Sequence, residues 1–262
     1  MIFKDQLNRS VDINYPPRRI ISLVPSQTEL LFDLGLNAEI IGITKFCVHP
    51  EAKVKALARV GGTKNLEVDF IRSLKPDLII GNKEENEKQQ IETLMRDFPV
   101  WMSDVSNLEE AMDCIAAIGA MVDRTPEAAY MNHLINAGFR DLQTLALQHG
   151  IDKKVAYLIW RNPYLFAGKD TFIDHVLSVN GLRNVVKDLR YPELTLAKLE
   201  LLQPDIVFLS SEPYPFDERH LEEIRLALPA TKIMLVDGEM FSWHGSRLIK
   251  AVQYHFQLQK EL

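Results

Sequence analysis

Cys47 and His49 stand two residues apart in Ile43–Pro50 (ITKFCVHP), beside the ring of Phe46. On an extended segment such neighbours point to the same side, so a thiol and an imidazole could reach one ion together. A closed zinc site needs four protein ligands, and a catalytic one needs three plus water. Further ligands would have to come from the distant His244, Glu239 or His175, and no spacing signature ties these to the pair. In the packed reading, Cys47 lies under the loop as a small buried side chain and His49 caps it ahead of Pro50. A metal already held in an organic chelate needs only one ligand from the protein, so His49 or His244 is a candidate axial ligand, with no protein-built metal site.

The usual enzyme signatures are missing. Ser26 sits in VPSQT without the glycines of a nucleophile elbow, and VGGTKNL (60–66) does not satisfy the phosphate-loop pattern. Neither G-x-G-x-x-G nor H-E-x-x-H occurs, so the expectation is a binding protein and not an enzyme. A net charge of −6 with scattered Lys and Arg argues against nucleic acid as a partner. The two cysteines, Cys47 and Cys114, make no disulfide framework, and no apolar run reaches the ~18 residues that span a bilayer. The first 17 residues contain no apolar run that could form a signal-peptide core. The chain is therefore expected either to be cytoplasmic or to have lost a leader.

The elements that position these residues can be read from an internal repeat. LEVDFIRSLKPDLII (66–80) lies over LTLAKLELLQPDIVF (194–208) without a gap, sharing Leu66/Leu194, Leu74/Leu202, Pro76/Pro204 and Asp77/Asp205. Each copy reads as a short amphipathic helix stopped by proline, then a buried strand opened by aspartate. Further apolar runs predict strands at 20–24, 39–43, 77–80 and 100–102, and at 155–160, 184–186, 205–209 and 232–236. Short continuous runs alternating with helical patterns indicate βαβ units with parallel sheets. The expected fold is α/β: two Rossmann-like lobes joined by a long interlobe α-helix. Residues 1–105 form the N-terminal lobe, 106–150 a helical connector containing that helix, and 151–262 the C-terminal lobe. Thr125, Pro126 and Gly150 punctuate the long helix.

In open α/β sheets, ligands bind beyond the carboxyl ends of the strands. The residues expected there include Gln27, Phe46, Cys47, His49, Asn82, Lys83, Trp160, Arg161, Tyr164, Phe166, Glu239, Phe241, Trp243 and His244. Flat rings with few fixed charges suit a bulky, partly apolar guest.

The stretches PPRRIISLVPSQTELLFDLGLNAEIIGIT, RVGGTKNLEVDFIRSLKPDLIIGN and LLQPDIVFLSS resemble periplasmic binding proteins of the cobalamin and ferric-siderophore type, also called helical-backbone metal receptors. The resemblance covers nearly the whole chain. It implies two α/β lobes joined by a rigid helix, capture of a metal chelate between them, and delivery to the permease of an ABC importer. The guest would be cobalamin-like, or else haem or a ferric siderophore, and the protein carries no intrinsic cofactor. The resemblance also implies a monomeric, extracytoplasmic protein that does not span the membrane. Phe46 and Tyr164 or Phe166 would stack on the guest, with Tyr191 nearby. One acidic residue per lobe would dock on the permease: Glu84, Glu85 or Glu87 from the first, and Glu193, near Ala197, from the second. The alternatives are a cytoplasmic corrinoid or chelate carrier or sensor, and an enzyme using the same cleft.

Overall fold

In the computed structural model, which describes residues 1–262, every run expected as a strand forms one, with ends shifted by a residue or two. Two compact units result.

Unit 1 comprises residues 1–105, 109–134 and 244–247. Its elements are β1 (Ile2–Lys4), β2 (Ser10–Asp12), β3 (Ile20–Ser22), α1 (Pro25–Asp33), β4 (Ile40–Ile43), α2 (Glu51–Val54) and β5 (Ala58–Arg59). They continue through β6 (Gly61–Gly62), β7 (Asn65–Leu66), α3 (Val68–Leu74), β8 (Leu78–Asn82), α4 (Lys88–Leu94), β9 (Val100–Ser103) and α5 (Leu108–Met121). The sheet runs β5-β4-β3-β8-β9 with every pairing parallel. The β1–β2 and β6–β7 hairpins were not expected; their two- and three-residue strands are too short to show a period.

The helix α6 (Thr125–Gln148) begins in unit 1 and continues in unit 2. Its 24 residues span ~36 Å at 1.5 Å per residue. Gly150, at φ 60°, takes the left-handed turn beyond its end.

Unit 2 comprises residues 106–108, 135–243 and 248–262. It holds β10 (Lys154–Trp160), β11 (Leu165–Phe166), α7 (Phe172–Val179), β12 (Arg183–Asn184), α8 (Leu196–Leu201) and β13 (Ile206–Ser210). These are followed by α9 (Glu218–Ala227), β14 (Lys232–Val236), α10 (Gly238–Ser242) and α11 (Leu248–Glu261). Strands β12, β10, β13 and β14 lie side by side in that order and are parallel. The antiparallel β11 covers the last part of the β10 edge, beyond the stretch that β12 occupies. Counting only parallel strands from β3 and from β10, the orders are 3-2-1-4-5 in unit 1 and 2-1-3-4 in unit 2, and both are doubly wound.

The sequence repeat is a structural repeat. Leu66, Ile71 and Ile79 are buried in the unit 1 core, with Val68 and Leu74 packed on it. Their counterparts Leu194, Leu199 and Val207 are buried in the unit 2 core, with Leu196 and Leu202 packed on it. Burying one such side chain stabilises by roughly 1.5–3 kcal/mol. Ahead of the shared prolines, Lys75 and Gln203 both adopt φ 49°, a left-handed turn that ends the helix. The aspartate after each proline then binds the first strand of its own sheet. Asp77 accepts from the backbone N–H groups of Arg18 and Arg19, both at 2.8 Å. Asp205 accepts from that of Lys154 at 2.6 Å.

Residues 244–247 leave unit 2 after α10 and insert into unit 1. There Arg247 grips Glu29 of α1 through two hydrogen bonds, 2.7 and 2.9 Å long, with both side chains buried. Gly245 permits the approach, because a Cβ at that position would lie 2.8 Å from the Ser26 carbonyl oxygen.

Candidate functional site

The carboxyl ends of the unit 1 strands carry a polar network beneath an exposed rim. Asn82 ends β8, and its side-chain carbonyl accepts from the backbone N–H groups of Glu84 and Glu85, turning the chain back. Its amide donates to Ser103 Oγ at 2.9 Å, and Gln27 donates to the same oxygen at 2.6 Å. Both side chains are buried and committed to the scaffold. This corrects the expectation that Gln27 and Asn82 face a guest.

Cys47 is a second correction. It is fully buried, with its sulfur 3.1 Å from Thr28 Oγ1 and 3.2 Å from Thr44 Oγ1, and burial pushes the thiol up from its ordinary value. What the octapeptide does present is Phe46, 49% exposed, with Lys45 Nζ 5.0 Å from its ring centre. Gly62 lies against that ring. His49 is half-buried on the same loop. Lys83 is exposed and pairs with Asp104 at 2.6 Å. His244 is in unit 1 but buried, and desolvation lowers its imidazole to about 4. A ring so enclosed is a poor axial ligand for an arriving metal, which corrects that reading. No three His, Cys, Asp or Glu side chains converge to hold a metal ion.

Of the acidic residues, Glu85 is exposed and Glu84 half-buried, while Glu87 caps α4 by accepting from the Gln90 N–H at 2.9 Å. Glu193, in unit 2, is exposed.

Unit 2 presents a shallow hollow of about 630 Å³ at the ends of β10 and β13, lined among others by Arg161, Tyr214, Phe216 and Glu223. Trp160, 39% exposed, meets Tyr214 edge to face at 5.7 Å and 75°. Arg161 donates to both carboxylate oxygens of Glu223, at 3.3 and 2.9 Å, and the Tyr164 hydroxyl donates to the same carboxylate. These two donors hold Glu223 below the usual carboxylate range. Tyr214 Oη lies 3.1 Å from His220 Nε2. At the mouth of α9, Asp217 is drawn down to about 2 by the Arg219 guanidinium.

Three aromatic residues expected in this group lie elsewhere. Phe166 and Phe241 are fully buried. Phe241 packs on Tyr157 at 4.9 Å and on His255 at 4.7 Å, because α10 turns its apolar face inward at once after β14. Trp243 is 7% exposed, with its indole N–H donating to Glu212 at 2.8 Å. Glu239 is half-buried in the first turn of α10, and Tyr191 is half-buried one residue before Pro192, whose carbonyl accepts the Phe166 N–H. Glu223 and His220 were missed by the sequence reading. Their sequence signal was a spacing of three on an amphipathic helix, which places both on one face.

The family described as periplasmic binding protein matches residues 20–225. The chain belongs to that family. It is accordingly a binding protein and not an enzyme. Among periplasmic binding protein relatives, an uncharacterized ABC transporter substrate-binding lipoprotein, YvrC of Bacillus subtilis, is 25% identical over 95% of this chain and 82% of its own. The vitamin B12-binding protein of Vibrio cholerae is 25% identical over 75% of this chain and 71% of its own. The crystal structure of the periplasmic vitamin B12 binding protein BtuF of Vibrio cholerae superposes with a TM-score of 0.80 at 22% identity, over 94% of this chain and 98% of that one. A periplasmic heme binding protein from Pseudomonas aeruginosa gives 0.80 at 21% identity, over 91% of each chain. The recognition and fold expected from the sequence are thereby borne out. No helix is long and apolar enough to cross a membrane.

Proposed function

We propose that this periplasmic binding protein is the substrate-binding component of an ABC importer and captures a metal chelate. The chelate is cobalamin-like, with haem or a ferric siderophore as the next candidates, and the protein works outside the cytoplasm as a monomer. The observation that carries the reading is the exposure of Phe46 and Trp160 at strand carboxyl ends, the side on which open α/β sheets in general bind ligands. Two large rings left in water at such ends are suited to stacking on a flat conjugated macrocycle. His49 is the remaining candidate axial ligand, and Lys83 and Tyr191 are candidate contacts. Exposed Glu85 and Glu193 are the acidic residues best placed to meet a permease, since Glu87 is occupied as a helix cap.

Native mass spectrometry against cobinamide, cobalamin, haemin and ferric siderophores tests the proposal, with one bound chelate as the expected result. Tryptophan emission should be quenched by the same ligand. Phe46→Ala should weaken binding about tenfold, the worth of one well-packed ring, with almost no change in stability. A chain that retains none of these compounds is not a chelate-binding protein.

A further inference from the structure

Helix α9 is not one of the strand-end loops, yet it touches both loops that form the hollow. Glu223 receives Arg161 and Tyr164 from the segment that follows β10. His220, three residues earlier on the helix, lies against Tyr214 from the segment that follows β13. His220 Nδ1 also accepts the Asp217 N–H at 3.1 Å, closing a capping box at the start of the helix. His220 Nδ1 also lies 2.8 Å from an Asp217 carboxylate oxygen, and the imidazole tautomer decides which partner donates between Nε2 and Tyr214 Oη. Leu221 and Ile224, on an adjoining face of the helix, are buried in the unit 2 core. The helix is thus anchored in the core by one face while the face beside it holds two loops.

We propose that Glu223 is a positioning residue: by tying Arg161 and Tyr164 to α9 it fixes Trp160 against Tyr214 and so sets the shape of the hollow that receives the guest. The proposal rests on reading the hollow as part of the chelate site. Without the carboxylate, Arg161 and Tyr164 lose these hydrogen bonds to the helix. The five-residue segment from Trp160 to Tyr164 would then have to be ordered each time a ligand binds. Ordering on binding lowers affinity, whereas an arrangement ordered beforehand does not.

The test uses the intact protein and exploits its three tryptophans. Trp101 and Trp243 are buried, so acrylamide quenching reports on Trp160, and Trp160→Phe confirms that assignment. Glu223→Ala should raise the quenching of the accessible tryptophan and weaken binding of cobinamide or haemin about tenfold, the cost of immobilising one or two side chains. The thermal midpoint should stay within about 3 °C, as expected for a surface substitution in a chain of this size. Arg161→Met breaks the same tie from the other side and should do the same if Glu223→Ala proves unstable. The exchanged pair Arg161→Glu with Glu223→Arg should restore most of the affinity. Wild-type quenching and wild-type affinity in both single variants would overturn the proposal. If the wild-type protein binds neither probe, the chelate reading fails, and the quenching comparison still decides whether Glu223 fixes Trp160.

Discussion

The two sheets begin alike and end differently. At their amino ends, Lys75–Pro76–Asp77 and Gln203–Pro204–Asp205 run the same sequence of left-handed turn, proline and aspartate clamp. At their carboxyl ends the likeness stops. In the repeat register Asn82 corresponds to Ser210; Asn82 folds its own loop, whereas Ser210 accepts the hydroxyl of buried Tyr157 at 3.0 Å. Unit 1 fills the space beneath its loops with amides and hydroxyls and leaves one ring outside, while unit 2 leaves an aromatic hollow. The amino ends answer to folding alone and keep their pattern. The carboxyl ends are free to diverge because the strands are already registered before the loops begin.

The comparison can be broken most forcefully where unit 1 takes in the remote residues 244–247. Arg247→Met would leave the Glu29 carboxylate buried without its partner and should cost ~3–5 kcal/mol in urea unfolding. A loss under about 1 kcal/mol would show that residues 244–247 do not hold unit 1 together.

Acid should affect both units. His244 in unit 1 and His255 in unit 2 are each depressed to about 4 by burial, against an ordinary 6.5. Above pH 6.5 both are neutral, folded or unfolded, and the stability is fully present. Below it the unfolded chain takes protons that the folded chain refuses, so stability falls between about pH 6.5 and 4, by up to ~3 kcal/mol per histidine. Denaturation midpoints at pH 7 and 4.5 measure the fall. His255→Gln should shrink it, and an unchanged slope would remove His255 as a cause.

The smallest effect sharpens the likeness itself. Asp77 receives two backbone N–H groups and Asp205 one, so Asp77→Ala should cost ~1.5–3 kcal/mol and Asp205→Ala about 1 kcal/mol. Equal costs would mean that the second bond to Asp77 adds nothing.

The fold was legible because strands covered on both faces are continuous apolar runs, and because one such run occurs twice with its helix. The site was less so. Placing a ring just after a strand does not say which way it turns: Phe46 and Trp160 turn outward, Phe166 and Phe241 inward. Polarity misled in the same way, since Asn82 and Gln27 look like recognition groups and serve as internal struts. Glu223 escaped notice because its partners are 59 and 62 residues away in the chain, a separation no local pattern spans.

The short visit of Gly245 and its neighbours to unit 1 has a consequence for dissection. A gene cut at codon 134 would yield a first fragment deprived of the guanidinium that Glu29 requires, and a second fragment ending in a helix whose preceding four residues have nowhere to sit. The halves look like duplicates, but the polypeptide is stitched back through its own beginning, and expressing either piece alone should give an aggregating product.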